Sequence, residues 1–247
     1  MAREHVAAAN ALGRAGKHDE AAATLRVALA QAELRGAERA HVLGHLASEL
    51  RLAVRLDEAI ATARDAVTTA VTAADPHARA YAQFALGTAL ISAFERDGDP
   101  ALLSDAMEAL DGAAEGYQQL GHIDFSSVLL TMAEAFRMIG EHEAARGVLV
   151  RVTRELADAR WAAPEANARH AGHVRGRAYL GLGAIALATD HRDEAVRMFD
   201  EASQLLIASA DISAAPLLED IATVMETELD DPAAAEQIRT AARTLPA

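Results

Sequence analysis

The 247 residues carry 51% apolar side chains but only 4% aromatic ones, no cysteine, and a formal net charge of −14. Without thiols the chain has no disulfide, thiolate or cysteine-zinc chemistry. Its acids and arginines alternate without forming a basic stripe that could replace phosphate counterions, which argues against nucleic-acid binding. The apolar content is mostly Ala, Leu and Val, a composition that suits closely packed helices. No period-two runs of β-branched and aromatic residues are joined by hairpin turns, so the expectation is an all-α chain. The N-terminal stretch has neither a long apolar run nor a processing site, which predicts no signal peptide, no membrane span and a cytoplasmic protein. Near-exclusive use of Arg over Lys, with heavy Ala, points to a GC-rich bacterial source.

In chain order, residues 2–15 read as a helix stopped by Gly16, a residue suited to the left-handed cap. A second helix follows, with Ala21, Leu25 and Ala28 on one face. A third begins near Ala37 and carries Leu46, Ala47 and Leu50, and its successor carries Ala59, Ala63 and Ala66. Asp75-Pro76 opens the next helix, with Asp as N-cap and Pro in the first turn, where its missing N–H costs nothing. Leu86-Gly87 lies on that helix, and Asp99-Pro100 starts the next by the same device, with Ala106, Leu110 and Ala113 on its packing face. Met132, Ala133 and Phe136 precede a break at Gly140. Ala145, Leu149 and Val152 follow on a helix expected to run on to Trp161 and to end before Pro164. An unusually long helix then carries Leu182, Gly183 and Ala186. After the break at Asp190-His191 come Ala195, Phe199 and Ala202. The last pair carries Ile221, Ala222 and Met225, then Ala234, Ile238 and Ala241 behind Asp231-Pro232. Residues 211–236 contain eight acids and no Lys or Arg, which suits a solvated terminal cap.

The clearest pair, RAYLGLGAIALATDHRDEAVRMFDEASQLL at 177–206, resembles one tetratricopeptide (TPR) unit, whose signature places Leu-Gly on the first helix and Ala and Phe on the second. Leu182-Gly183 and Ala195 with Phe199 match it. Ala186 stands where the family has an aromatic residue, and no proline closes the unit. Second-helix alanines at 21, 59, 106, 145, 195 and 234 are 38, 47, 39, 50 and 39 residues apart, longer than the TPR norm of about 34. Such long units resemble those of kinesin light chains and of bacterial multi-repeat proteins and sensor-regulators. The resemblance implies one α-α superhelical solenoid of about six helix-turn-helix repeats. The expected units are 2–36, 37–75, 76–121, 122–163, 164–210 and 211–247 within a single domain.

Catalytic patterns fail one by one. Gly181-Leu182-Gly183-Ala184-Ile185-Ala186 fits a dinucleotide fingerprint by letter but has no strand before it. His142-Glu143 begins a zinc-protease motif that breaks at Arg146, and Lys17 is followed by His18 rather than Ser or Thr. The expectation is a non-enzyme without cofactor. Glu38, His41, His45 and Glu49 lie near one stripe of a helix and could share a metal ion, with His5 or His77 as a further ligand. Ordinary solvated helix surface accounts for the same residues, and no metal is expected. His170 and His173 form a weaker pair beside Arg169, Arg175 and Arg177.

The TPR resemblance implies a concave groove lined by the first helix of each unit. Carried over position by position, that groove presents Asn10, Arg14, His41, Ser48, Arg51, Tyr81, Phe84, Thr88, Glu134, Arg137 and Arg177, with Glu219 at the far end. Arginine forks suit carboxylates, and Tyr or Phe gives rigid contact area. The expected function is a protein-interaction scaffold binding a peptide or partner segment, acidic or C-terminal in character. The competing reading is a peptide- or small-molecule-sensing module of a bacterial signalling or transcription system. Chaperone-binding TPR domains use a clamp of Lys and Asn of which only Asn10 is matched. Self-association through terminal packing faces is compatible with either reading.

Overall fold

A computed structural model describes residues 2–31, 34–162, 164–211 and 213–245. Among these residues it has twelve α-helices and no strand, and none of the helices is long and apolar enough to cross a membrane. The chain divides into two compact units, Met1–Val128 and Leu129–Ala247. The first holds α1 (Ala2–Arg14), α2 (His18–Gln31), α3 (Gly36–Leu52), α4 (Leu56–Thr72), α5 (Pro76–Asp97), α6 (Pro100–Gln119) and the start of α7 (Phe125–Met138). The second holds the rest of α7, then α8 (His142–Glu155), a 3-10 turn (Ala159–Trp161), α9 (Glu165–Ala188), α10 (Arg192–Ser209), α11 (Ala214–Thr227) and α12 (Pro232–Ala242). Helices pack as sequential pairs: α1 with α2, α3 with α4, α5 with α6, α9 with α10, and α11 with α12.

Local chemistry sets these boundaries. Asp75, Asp99 and Asp231 each accept a hydrogen bond from a first-turn N–H, of Ala78 (2.7 Å), Ala101 (2.9 Å) and Ala234 (2.9 Å), with proline next in sequence. Helix ends close by a repeated device in which an N–H beyond the helix donates to a carbonyl five residues back. It joins Lys17 to Leu12, Arg55 to Leu50, His122 to Tyr117, Glu141 to Phe136 and His191 to Ala186, at 2.8–2.9 Å. This closure needs a left-handed residue just before the donor. Gly16, Gly121 and Gly140 supply it without strain, whereas Val54 takes φ 61° and Asp190 φ 61°.

The interior of each pair is built from small residues against large ones. Ala21, Ala59, Ala106, Ala145 and Ala195 are wholly buried. A Cβ added to Gly183 would stand 2.7 Å from the Phe199 ring, one at Gly87 2.6 Å from Leu110, and one at Gly176 2.7 Å from Leu206. Two expectations shift. The helix expected to reach Trp161 ends at Glu155, and Trp161 closes a separate 3-10 turn capped by Asp158. In α12 the fully buried small residue is Ala235, while Ala234 is partly buried against the same cluster.

A ladder of rings ties α3, α5, α6 and the turn before α7. His41 lies 5.3 Å from His77 and 5.7 Å from Tyr81, His45 lies 5.1 Å from Tyr81, and His77, Tyr117 and His122 are mutually 5.1–5.7 Å apart. His41 Nδ1 is 2.9 Å from the Ala37 carbonyl, so that nitrogen carries the proton. Its Nε2 lone pair then accepts from His77 Nδ1–H at 3.1 Å. Two imidazolium rings could not make that bond. Burial, together with His122 and His41, lowers the His77 pKa against the opposing pull of Asp75 and Asp124. Burial and His41 lower His45 against Glu49.

Three outcomes follow from this packing. Gly183→Ala destabilises the second unit by about 1–3 kcal/mol through overpacking against Phe199. Gly147→Ala, on α8 where an added Cβ meets nothing within 4 Å, stabilises it by about 1 kcal/mol through helix propensity; urea unfolding compares the two. Val54→Gly relieves a left-handed β-branched residue and stabilises the first unit by about 1 kcal/mol, read as a higher denaturation midpoint. Because His45 and His77 titrate lower in the folded chain, the unfolded chain takes up protons first. Stability is therefore full above about pH 6.5 and falls as pH drops through that value toward the lower folded ones. Thermal midpoints measured across that range show the slope, and His45→Gln/His77→Gln flattens it.

Candidate functional site

In the first unit α3 packs against both α1 and α5. The second helices meet instead through exposed ion pairs, Arg26 with Glu58 and Arg64 with Asp105. The side formed by α1, α3 and α5 is thus the tighter, inner one, and it is where two adjoining hollows lie. One, of about 640 Å³, is lined by Val6, Ala7 and Asn10 of α1 and by Glu38, His41, Val42 and His45 of α3. The other, of about 400 Å³, is lined by Asn10, Gly13, Arg14, His18, Glu49 and Leu52. Glu49 is held there by His18 Nδ1 at 2.9 Å, and a Cβ at Gly13 would press on its carboxylate at 2.6 Å. Asn10 and Arg14 are exposed.

Further along the same side, Tyr81 lies over Gly44, where an added Cβ would be 2.7 Å from its ring. Its hydroxyl is 3.1 Å from His45 Nδ1 and is hydrogen-bonded to Ser48. Burial pushes the Tyr81 hydroxyl pKa well up, so the group stays protonated as a donor. Ser48 also donates to the Gly44 carbonyl at 3.1 Å, and Thr88 donates to Ala85 at 3.0 Å within its own helix. Phe84 is half-buried on α5. Arg51 Nε is buried without a hydrogen-bond partner. Burial lowers its pKa, and nearby Glu95 and Glu49 offset part of the effect.

The remaining expected groove residues belong to the second unit. Arg137 Nε donates to Glu134 at 3.0 Å, and that hydrogen bond raises the arginine's pKa. These two side chains therefore neutralise one another. Arg177 is exposed on α9. Glu219 accepts from Arg239 Nε at 2.9 Å and so ties α11 to α12.

The stripe Glu38, His41, His45 and Glu49 does not converge on one point. Glu49 turns to His18, His41 to His77, and His45 to Tyr81. Among the described residues no three His, Cys, Asp or Glu side chains form a metal-binding group. Burial lowers the His173 pKa despite Asp211. His18, Tyr117 and His122 were missed as neighbours of this face. A signal existed, because His77 and Tyr81 each stand 36 residues after their partners His41 and His45, one structural repeat on.

No protein-family model matches the sequence, and no curated protein is similar to it. Solved structures are similar in fold. BtubC (BKLC) from P. vanneervenii is 15% identical, with 80% of this chain and 76% of that chain covered, at a TM-score of 0.60. A kinesin light chain with nearly identical TPR-like repeats from Podosopora anserina is 19% identical, with 82% and 93% covered, at a TM-score of 0.56. With its helices packed in adjacent pairs, small residues between them and these neighbours, the chain has the all-α repeat fold of the tetratricopeptide (TPR) type.

Proposed function

We propose that the chain is a non-enzymatic protein-interaction scaffold whose α1, α3 and α5 face takes an extended segment of a partner protein. The observation that carries this reading is the pair of adjoining hollows along α1 and α3, with Asn10, Arg14 and His41 at their walls. Asn10 offers both a donor and an acceptor to a peptide backbone. Neither it nor Arg14 has a side-chain hydrogen bond or ion pair among the described residues. Arg14's planar fork matches a carboxylate in two-point geometry, which favours an acidic or C-terminal segment. Ser48, Arg51, Tyr81, Phe84 and Thr88 continue the surface along α3 and α5. Tyr81 and Phe84 there give contact area that loses little entropy on binding. Glu134, Arg137 and Arg177 form a separate polar surface of the second unit, which the reading assigns a secondary part because Arg137 is already paired. The TPR-like fold supports the reading, since repeat arrays of this type present extended faces.

The test is affinity capture from a lysate of the source organism with three baits: wild type, Asn10→Ala/Arg14→Ala/His41→Ala, and Arg137→Ala/Arg177→Ala. The expected outcome is a prey protein held by wild type and by the second-unit variant but lost by the first-unit variant, with circular dichroism showing all three folded. Retention by every bait, or no specific prey at moderate salt, overturns the assignment.

A further inference from the structure

A cavity of about 380 Å³ opens in the second unit, where the 3-10 turn and the first half of α9 meet α10. Its size falls within the roughly 300–1,000 Å³ of small-molecule sites. Ala168, Ala171, Gly172 and Arg175 recur at helical spacing on the α9 wall, so three small residues leave the space and one long cation borders it. Leu205 and Trp161 give it apolar sides, and Arg169 stands with Arg175 on the lining.

Arg137, Arg146 and Arg151 each pair with a glutamate. Arg169 and Arg175 form no ion pair among the described residues, and Arg175 Nε is buried without a hydrogen bond. A buried guanidinium nitrogen left unpaired costs free energy that an anion would recover. Among the described residues Asp158 is the only acid on the lining, and it already accepts from the Arg160 N–H at 2.9 Å. Arg169 and Arg175 against the one carboxylate, with Arg160 close by over Trp161, leave a positive balance that suits an anion. One face of Trp161 is covered by the Arg160 guanidinium, 4.9 Å from the ring centroid. Aliphatic surface, more than stacking, is therefore what the cavity has to offer. We propose that this cavity binds an aliphatic carboxylic acid, its carboxylate bridged by Arg175 and Arg169 and its chain lying between Trp161, Leu205 and the small residues of α9.

Trp161 is the sole tryptophan of the chain, so its fluorescence reports on the cavity alone. Titration with octanoate is expected to change the emission saturably, while 1-octanol and octylamine give weak or no saturation. Arg175→Met keeps the side-chain length without the charge and is expected to weaken octanoate about tenfold or more, as loss of a charge-assisted bond does. Gly172→Leu starts its side chain where an added Cβ has no neighbour nearer than 3.9 Å and is expected to fill the cavity and abolish the change. No saturable response to millimolar octanoate overturns the proposal, as does equal binding of octanol, or octanoate binding by folded Gly172→Leu like that of wild type. If a variant unfolds by circular dichroism, the comparison of the three ligands on wild type decides by itself. This cavity shares no residue with the scaffold face, so failure of either assignment leaves the other standing.

Discussion

Close approach of helix backbones is the constraint on which this structure depends. Where a pair touches, one side presents a methyl group or a bare Cα and the other fills the gap with a single large side chain. Gly183 receives Phe199, Gly87 receives Leu110, and Gly176 receives Leu206. Dispersion contacts are short-ranged, so this arrangement holds two helices together with few aromatic residues. It also explains how a chain so rich in alanine acquires a specific core: the alanines set the distance and the few large residues set the register.

Once pairs stack, what happens on their faces follows from the repeat. Residues one repeat apart come into line, so His41 meets His77 and His45 meets Tyr81. Gly44 allows the Tyr81 ring to lie flat against α3. A polar group half-buried in such a row must find a partner. The rings, Ser48 and Glu49 supply these partners to one another, with His18 completing the set. The inner face of the first unit is thus polar yet ordered. Beside it Asn10 and Arg14 are exposed.

The second unit reaches a different result from the same rules. Its long α9 begins beyond a proline and a 3-10 turn instead of directly after a paired helix. The first turns of α9 therefore have the 3-10 turn and its indole as neighbour where a flat helix face would otherwise lie, and small residues there leave a cavity instead of a tight contact.

Most of the fold was legible along the chain because helix period, caps and small-residue spacing are local properties. Asp75, Asp99 and Asp231 cap as their position before proline requires, and the faces through Ala21, Ala106 and Phe199 are buried as their spacing demands. Errors arose where a local pattern was ambiguous by one residue, as with Ala234 and Ala235, or where a polar turn interrupted an apolar run before Trp161. Ion pairing was legible only where the partners stand one turn apart, as Glu134 and Arg137 do, and not where they come from distant helices, as Arg146 and Glu194 do. By itself the sequence determined the helices, their order and the small-residue seams, since each depends on residues within a few positions of one another. Only the tertiary structure decided which histidines meet, which arginines remain free and where a cavity opens, because those depend on side chains brought together from helices tens of residues apart.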